Sequence, residues 1–192
     1  MKKLLIITQL VFGLLLLSPV AASEESKETE VVFLRSSTVG AFIKSTIYEV
    51  TDGEIKFIGI LANKKKISYK TTGGKHMFMV VSEAADFMEA NLEDGKTYYS
   101  VITPRMGAWK ARFSMWPIRN DESSEYYFGS EKFNKWMDKV KPHEPGKKDA
   151  KWFEKNQDSV AKKKAKYWEK WLEKTPEDLA QKTLNPEDAW ID

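Results

Sequence analysis

Cysteine is missing from all 192 residues. Its absence excludes disulfides, thiolate metal sites, a cysteine nucleophile and an acylated N-terminal cysteine. Histidine is nearly missing too. His76 and His143 are the only two, and neither has a second ligand at metal-binding spacing. No zincin motif and no Asp/Asn calcium loop occurs. Gly73-Gly74-Lys75 lacks the spacing and the following hydroxyl of a phosphate loop. Ser36 and Ser37 lack the glycine elbow of a hydrolase nucleophile. An excess of one charge is also lacking. The formal +3 includes Lys2 and Lys3, and without them 29 basic residues face 28 acidic ones, or +1. A nucleic-acid partner is therefore not expected, because phosphates call for a strongly basic surface. No apolar run reaches the roughly 20 residues that span a bilayer.

The longest apolar run, from Leu4 to Leu17, follows Lys2 and Lys3 and precedes Ser18-Pro19-Val20-Ala21-Ala22. This is the three-part pattern of a secretory signal, with small residues Val20 and Ala22 placing cleavage after Ala22, or after Ser23 as the alternative. The expected product is an exported, bacterial-type protein, periplasmic or secreted and not a lipoprotein. The expected organisation is a signal peptide at 1–22, a flexible leader at 23–30, a β-domain at 31–120 and a helical C-terminal extension at 130–192. With 42% hydrophobic and 31% charged residues, such a chain can hold itself together through a core rather than through disulfides.

From Val31 onward the texture is short β-type runs between turn residues. The runs are Val31–Arg35, Thr46–Val50, Ile55–Leu61, Ile67–Thr71, His76–Val81, Phe87–Leu92 and Thr97–Thr103. Asp52-Gly53, Gly73-Gly74 and Glu93-Asp94-Gly95 supply the turns. Trp109–Trp116 alternates, which predicts Trp109, Ala111, Phe113 and Met115 inward and Lys110, Arg112 and Ser114 in water. Seven or eight strands at about ten-residue spacing, with no helix-period segment between them, predict an antiparallel β-sandwich rather than an α/β fold.

After Gly129 the period becomes helical. Phe133, Trp136, Met137 and Val140 share one face behind Ser130 as N-cap. A second helix is expected from a cap at Asp149 to about Lys174. On it Trp152, Phe153, Val160, Tyr167, Trp168 and Trp171 fall within an arc of roughly 160°. Thr175-Pro176 and Asn185-Pro186 mark two further short starts.

The stretch from Val31 to about Pro117 resembles domain-of-unknown-function family 2846, bacterial exported proteins and lipoproteins. The resemblance is carried by Arg35-Ser36-Ser37 with Gly40, the Tyr48-to-Gly53 strand and turn, Gly73-Gly74-Lys75-His76 and Leu92-Glu93-Asp94-Gly95-Lys96-Thr97-Tyr98-Tyr99. The resemblance implies an immunoglobulin-like or similar small antiparallel β-sandwich in the cell envelope and no particular activity. The chain departs from the lipoprotein members by lacking the acylated cysteine, and it adds the helical tail.

On function, the sequence points first to a non-catalytic binding or interaction module of the envelope, with no cofactor and no metal. His76 reads as turn structure, since no partner residue for a general base is visible. The partner is an envelope protein or a membrane surface. Seven tryptophans are many for this length, and most lie at or beyond Trp116. Their expected use is to pack the tail on the sandwich. The alternative makes Trp152, Phe153, Trp168 and Trp171 an interaction surface, because Lys132–Lys174 holds 14 lysines against seven acids and basic amphipathic helices suit anionic bilayers. A third reading is an enzyme whose site the sequence does not display.

Overall fold

The computed structural model describes residues 27–105 and 112–191. The expected signal peptide lies outside the described residues, and so do Trp109, Lys110 and Ala111. The first strand, β1 (Thr29–Arg35), begins inside the segment expected to be leader. Then follow β2 (Ser45–Glu49), β3 (Lys56–Leu61), β4 (Lys65–Thr71), β5 (Gly74–Val81), β6 (Ala85–Leu92), β7 (Thr97–Arg105) and β8 (Arg112–Pro117). Helix α1 (Glu131–Met137) leads through the short β9 (Lys141–Pro142) to the 26-residue α2 (Lys147–Leu172). Helix α3 (Pro176–Gln181), β10 (Thr183–Leu184) and a single 3-10 turn over Pro186–Asp188 follow.

The strands form two five-stranded sheets, ordered β8-β7-β1-β4-β9 and β10-β6-β5-β2-β3. This is the expected β-sandwich with a helical extension, but its sheets are mixed. β1 runs parallel to β7, β4 to β9 and β10 to β6. The absence of helices between strands did not prevent this. Strands that reach the same sheet by crossing over the sandwich become parallel neighbours without any βαβ unit.

Between the sheets lies one core, in which Phe33, Ile47, Phe78, Met88, Ile102, Phe113 and Leu184 are all buried. Each outer face is covered as well. Tyr48, Met79, Val81 and Phe87 on the second sheet meet Val160, Tyr167, Trp168 and Trp171 of α2. Leu34, Val101 and Ile118 on the first sheet meet Phe133, Trp136 and Val140. The result is four layers, helix–sheet–sheet–helix. It explains why Val31-Val32-Phe33-Leu34 and Phe78-Met79-Val80-Val81 are unbroken apolar runs, since both faces of these strands leave water. Ser114, expected in water, is buried for the same reason, whereas Phe113 and Met115 point inward and Arg112 is exposed as expected.

The tail is woven into the sandwich. β10 extends the β6 edge. Arg119, just after β8, holds Asp188 at 2.8 Å and donates to the Ala180 and Thr183 carbonyls. Ser130 caps α1 by accepting from the Phe133 amide. α2 starts two residues before the expected cap, because Asp149 accepts from the Gly146 amide from inside the first turn. The linker before α2 presses on β3. A Cβ on Gly59 would sit 2.5 Å from Pro145 Cγ, so only glycine fits this crossing.

Candidate functional site

Two features meet at the end of the sandwich that carries the turns at 51–53, 72–74 and 93–96. One is a polar knot between the sheets, and the other a cleft beneath α2.

The knot centres on Glu49, at the last position of β2 and facing inward like Ile47. His76 Nδ1 lies 2.6 Å from Glu49 Oε1, and Tyr69 of the opposite sheet donates to Oε2 at 2.5 Å. Thr51 donates to Oε1 at 3.2 Å, and Lys56 approaches Oε2 at 3.7 Å. The second ring nitrogen of His76 faces the Thr72 carbonyl at 3.0 Å. The ring stacks on Phe78, with centroids 5.9 Å apart. Only 9% of the His76 side chain and 11% of the Glu49 side chain remain accessible. Both imidazole nitrogens face acceptors, so the cation is the form that satisfies both. The hydrogen bond to Glu49 accordingly raises the His76 pKa above 6.5, against the opposing effect of burial. The same bond, supported by Tyr69 and the nearby Lys56, holds the Glu49 carboxyl down at about 2. No lone pair of His76 is left to accept a proton from a substrate, and the knot ties the sheets together.

Its pH dependence follows from these directions. A raised His76 pKa contributes stability that is complete below about pH 6.5 and is lost as pH rises through the raised value. A lowered Glu49 pKa contributes stability that is complete above about pH 4.5 and is lost as pH falls toward about 2. His76→Gln should therefore cost about 1.5–3 kcal/mol near pH 6. The gap in melting temperature between wild type and variant should narrow as pH rises through the raised His76 pKa. A constant gap would show that folding leaves the His76 pKa unshifted, and a gap that widens with pH would show that the folded imidazole is held neutral.

The cleft lies on the outer face of the second sheet and has a volume of about 880 Å³. Its floor is Met77 of β5, with Val50 and Ile55 from the turn region. The roof is α2. Ala161 and Ala165 stand one turn apart on the side above the floor, and these small side chains leave the space open. Trp168 forms an aromatic wall, edge-on to Phe87 at 5.1 Å. At the mouth, Lys164 donates to the Gly53 carbonyl at 2.6 Å and pins the turn to the helix. That turn carries Asp52 at φ 54° and Gly53 at φ 86°. Lys75 and Asn91, paired across β5 and β6, complete the polar rim with Glu89. Glu89 is drawn aside, within 3.4 Å of the Thr183 hydroxyl. Lys75 makes no ion pair among the described residues. The result is an apolar trough with a charged rim, Lys75 and Lys164 with Asp52 and Glu89, in the size range of small-molecule sites.

The four aromatic residues proposed from sequence as an interaction surface are divided by the fold. Trp171 is 4% exposed and packs on Phe87. Phe153 stacks on Phe57 at 4.9 Å and 6°. Trp168 lines the cleft. Only Trp152 is exposed, at 37%. The helix face that would enter a bilayer is thus already occupied by the sheet. His143, the other histidine, lies 3.3 Å from Asp149 near the start of α2. Among the described residues no group of three or more His, Asp or Glu side chains is placed to hold a metal, and no helix is long and apolar enough to cross a membrane. Sequence reasoning missed the cleft. Its one legible trace is the pair Ala161 and Ala165, small residues on the border of an aromatic stripe.

No family model matches the chain, and neither a curated protein nor a solved structure matches it.

Proposed function

We propose that this is an exported, non-catalytic binding module of the cell envelope, whose ligand lies in the cleft between α2 and the second sheet. The observation that carries this reading is the trough itself. A helix otherwise fixed by Trp171, Val160 and Phe153 is held off the sheet by nothing larger than two alanines along a length that an apolar molecule can occupy. The rim adds chemistry. Lys75, which makes no ion pair among the described residues, suits a polar head bearing a negative group, and Met77, Ile55 and Trp168 suit an apolar body. Export rests on the basic start, apolar run and small-residue site at the N-terminus, in keeping with the resemblance to envelope proteins.

The anionic aromatic dye anilinonaphthalene sulfonate is a suitable probe, since it combines both halves of this chemistry. Ala165→Trp fills the trough from the helix side at an exposed position. Dye affinity should fall by about 10-fold or more, with the melting temperature unchanged or raised. Lys75→Glu should weaken dye binding without affecting folding. Dye binding that survives both substitutions would place the ligand elsewhere.

A further inference from the structure

The opposite end of the sandwich carries a second feature, unrelated to the cleft. Between β1 and β2 the chain makes a loop over residues 36–44 whose tip is apolar and in water. Phe42 is fully exposed at 101%, Val39 at 57% and Ile43 at 40%. Such a loop would ordinarily fold its phenylalanine inward. Here it is held open from below. Arg35, itself 0% exposed, donates from its two terminal nitrogens to the Gly40 carbonyl at 2.6 Å and the Ile43 carbonyl at 2.5 Å. Its guanidinium lies 4.0 Å from the centre of the Phe113 ring. The Ser37 amide donates to Asn63 at 2.8 Å, and Gly40 takes φ 67°, a conformation suited to glycine. The tip is thus presented on a fixed base.

The charge lining the groove on one side of that base has one sign. Ser36, Ser37, Thr38 and Ala41 form one wall of a groove of about 450 Å³, and its other walls carry Lys64, Lys132, Lys135 and Lys139 with no acidic lining residue. Lys135 is matched by Glu131 at 2.5 Å and Lys132 by Glu125 at 3.6 Å. Lys64 and Lys139 have no ion pair among the described residues, and neither does the buried Arg35. On the other side of the loop, Ile43 and Lys44 border a groove with Trp152, the one exposed tryptophan of α2.

We propose that this end of the sandwich docks on an anionic bilayer, with Phe42 and Val39 entering the headgroup boundary and Lys64 and Lys139 meeting lipid phosphates. A narrow, convex apolar tip backed by unpaired cations fits a lipid surface. It does not fit the flat patch of about 800 Å² per partner that stable protein interfaces use. The bilayer reading suggested by the aromatic helix thus moves to a different surface, where the apolar groups are free.

The test is co-sedimentation of the chain, as recovered from cells, with vesicles of phosphatidylcholine alone or mixed with phosphatidylglycerol. Three chains are compared: wild type, Phe42→Ser and Lys64→Glu/Lys139→Glu. All share one N-terminus, so any affinity of the Leu4–Leu17 run cancels. Wild type should prefer the anionic vesicles and lose affinity as salt is raised. Each variant should bind them about 10-fold more weakly, with unchanged melting, because these side chains are exposed. In a Phe42→Trp chain the added indole emission should shift to the blue on the anionic vesicles and be quenched by brominated lipid. Ala165→Trp should leave vesicle binding intact, which separates this proposal from the cleft. Equal retention of the three chains, with no blue shift of the emission added by Phe42→Trp, would overturn it. So would a wild-type dimer that Phe42→Ser converts to monomer, since a second copy would then cover the tip.

Discussion

A chain ending at Gly129 should fail to form the sandwich. Its circular dichroism should lack a cooperative melt, and its amide resonances should collapse into a narrow range. The reason is that residues 130–192 are not an appendage resting on a finished domain. They supply Phe133, Trp136, Val140, Val160, Trp171, Leu184 and Ala189, all buried. The large members of this set are each worth about 1.5–3 kcal/mol, against a total stability of about 5–15 kcal/mol for a domain. Truncation also bares Tyr48, Met79, Val81 and Phe87 on one sheet and Leu34 and Val101 on the other. It strips β10 from the β6 edge and leaves Arg119 without Asp188. The single substitution Trp171→Ala should show the same dependence on a smaller scale, costing about 3–5 kcal/mol by chemical denaturation. A shortened chain that melts cooperatively at the wild-type temperature would mean that the helices cover nothing essential.

The sandwich could be read in the sequence because its signals are local. Strand runs such as Ile67–Thr71 and turns such as Glu93-Asp94-Gly95 depend on neighbours a few residues away. The capping of α1 by Ser130 and of α3 by Thr175 was legible for the same reason. What sequence reasoning missed lies at long separations. Glu49 and His76 are 27 residues apart, and Arg119 and Asp188 are 69 apart. Nothing in the local pattern of either pair indicates the partner. Parallel pairing of β1 with β7 is a property of how the chain crosses between sheets. The error at Ser114 has a different origin. Alternation was read as one dry face and one wet face, although the unbroken apolar runs of β1 and β5 already required cover on both. Aromatic periodicity did identify the buried face of α2, but the cleft depends on what that face lacks at Ala161 and Ala165. An absence of bulk leaves little trace in a hydrophobic pattern.

Asp86→Ala should be among the most damaging single substitutions in the protein, at about 3–5 kcal/mol. The Asp86 carboxylate is 7% exposed and accepts from Lys182 Nζ at 2.8 Å and from the Met115 amide at 3.1 Å. Lys182 is 4% exposed at its side chain. Its ammonium also donates to the Met115 carbonyl and lies 3.4 Å from the centre of the Trp116 ring. Removing Asp86 would leave this ammonium in the interior with one carbonyl and an indole face, and the Met115 amide without an acceptor. Burial already lowers the Lys182 pKa to about 8, against the attraction of Asp86. Without the carboxylate it must fall further, and the variant then sheds the proton at a lower pH than wild type does. The unfolded chain binds that proton up to about pH 10.5, so the variant gains stability with rising pH over a range where wild type does not. The cost of Asp86→Ala should therefore be larger near pH 6 than near pH 9. Asp86→Asn/Lys182→Met removes both charges and keeps an acceptor for the amide, and it should cost clearly less than Asp86→Ala alone. The pair joins residues 96 apart. Its use is to fix where the tail docks beside β6 and β8, since a misplaced tail would bury Lys182 without its carboxylate. Denaturation of both variants at the two pH values decides the matter. A double variant as unstable as Asp86→Ala, with no pH dependence in either, would show that packing around Trp116 and not the ion pair sets the position of the tail.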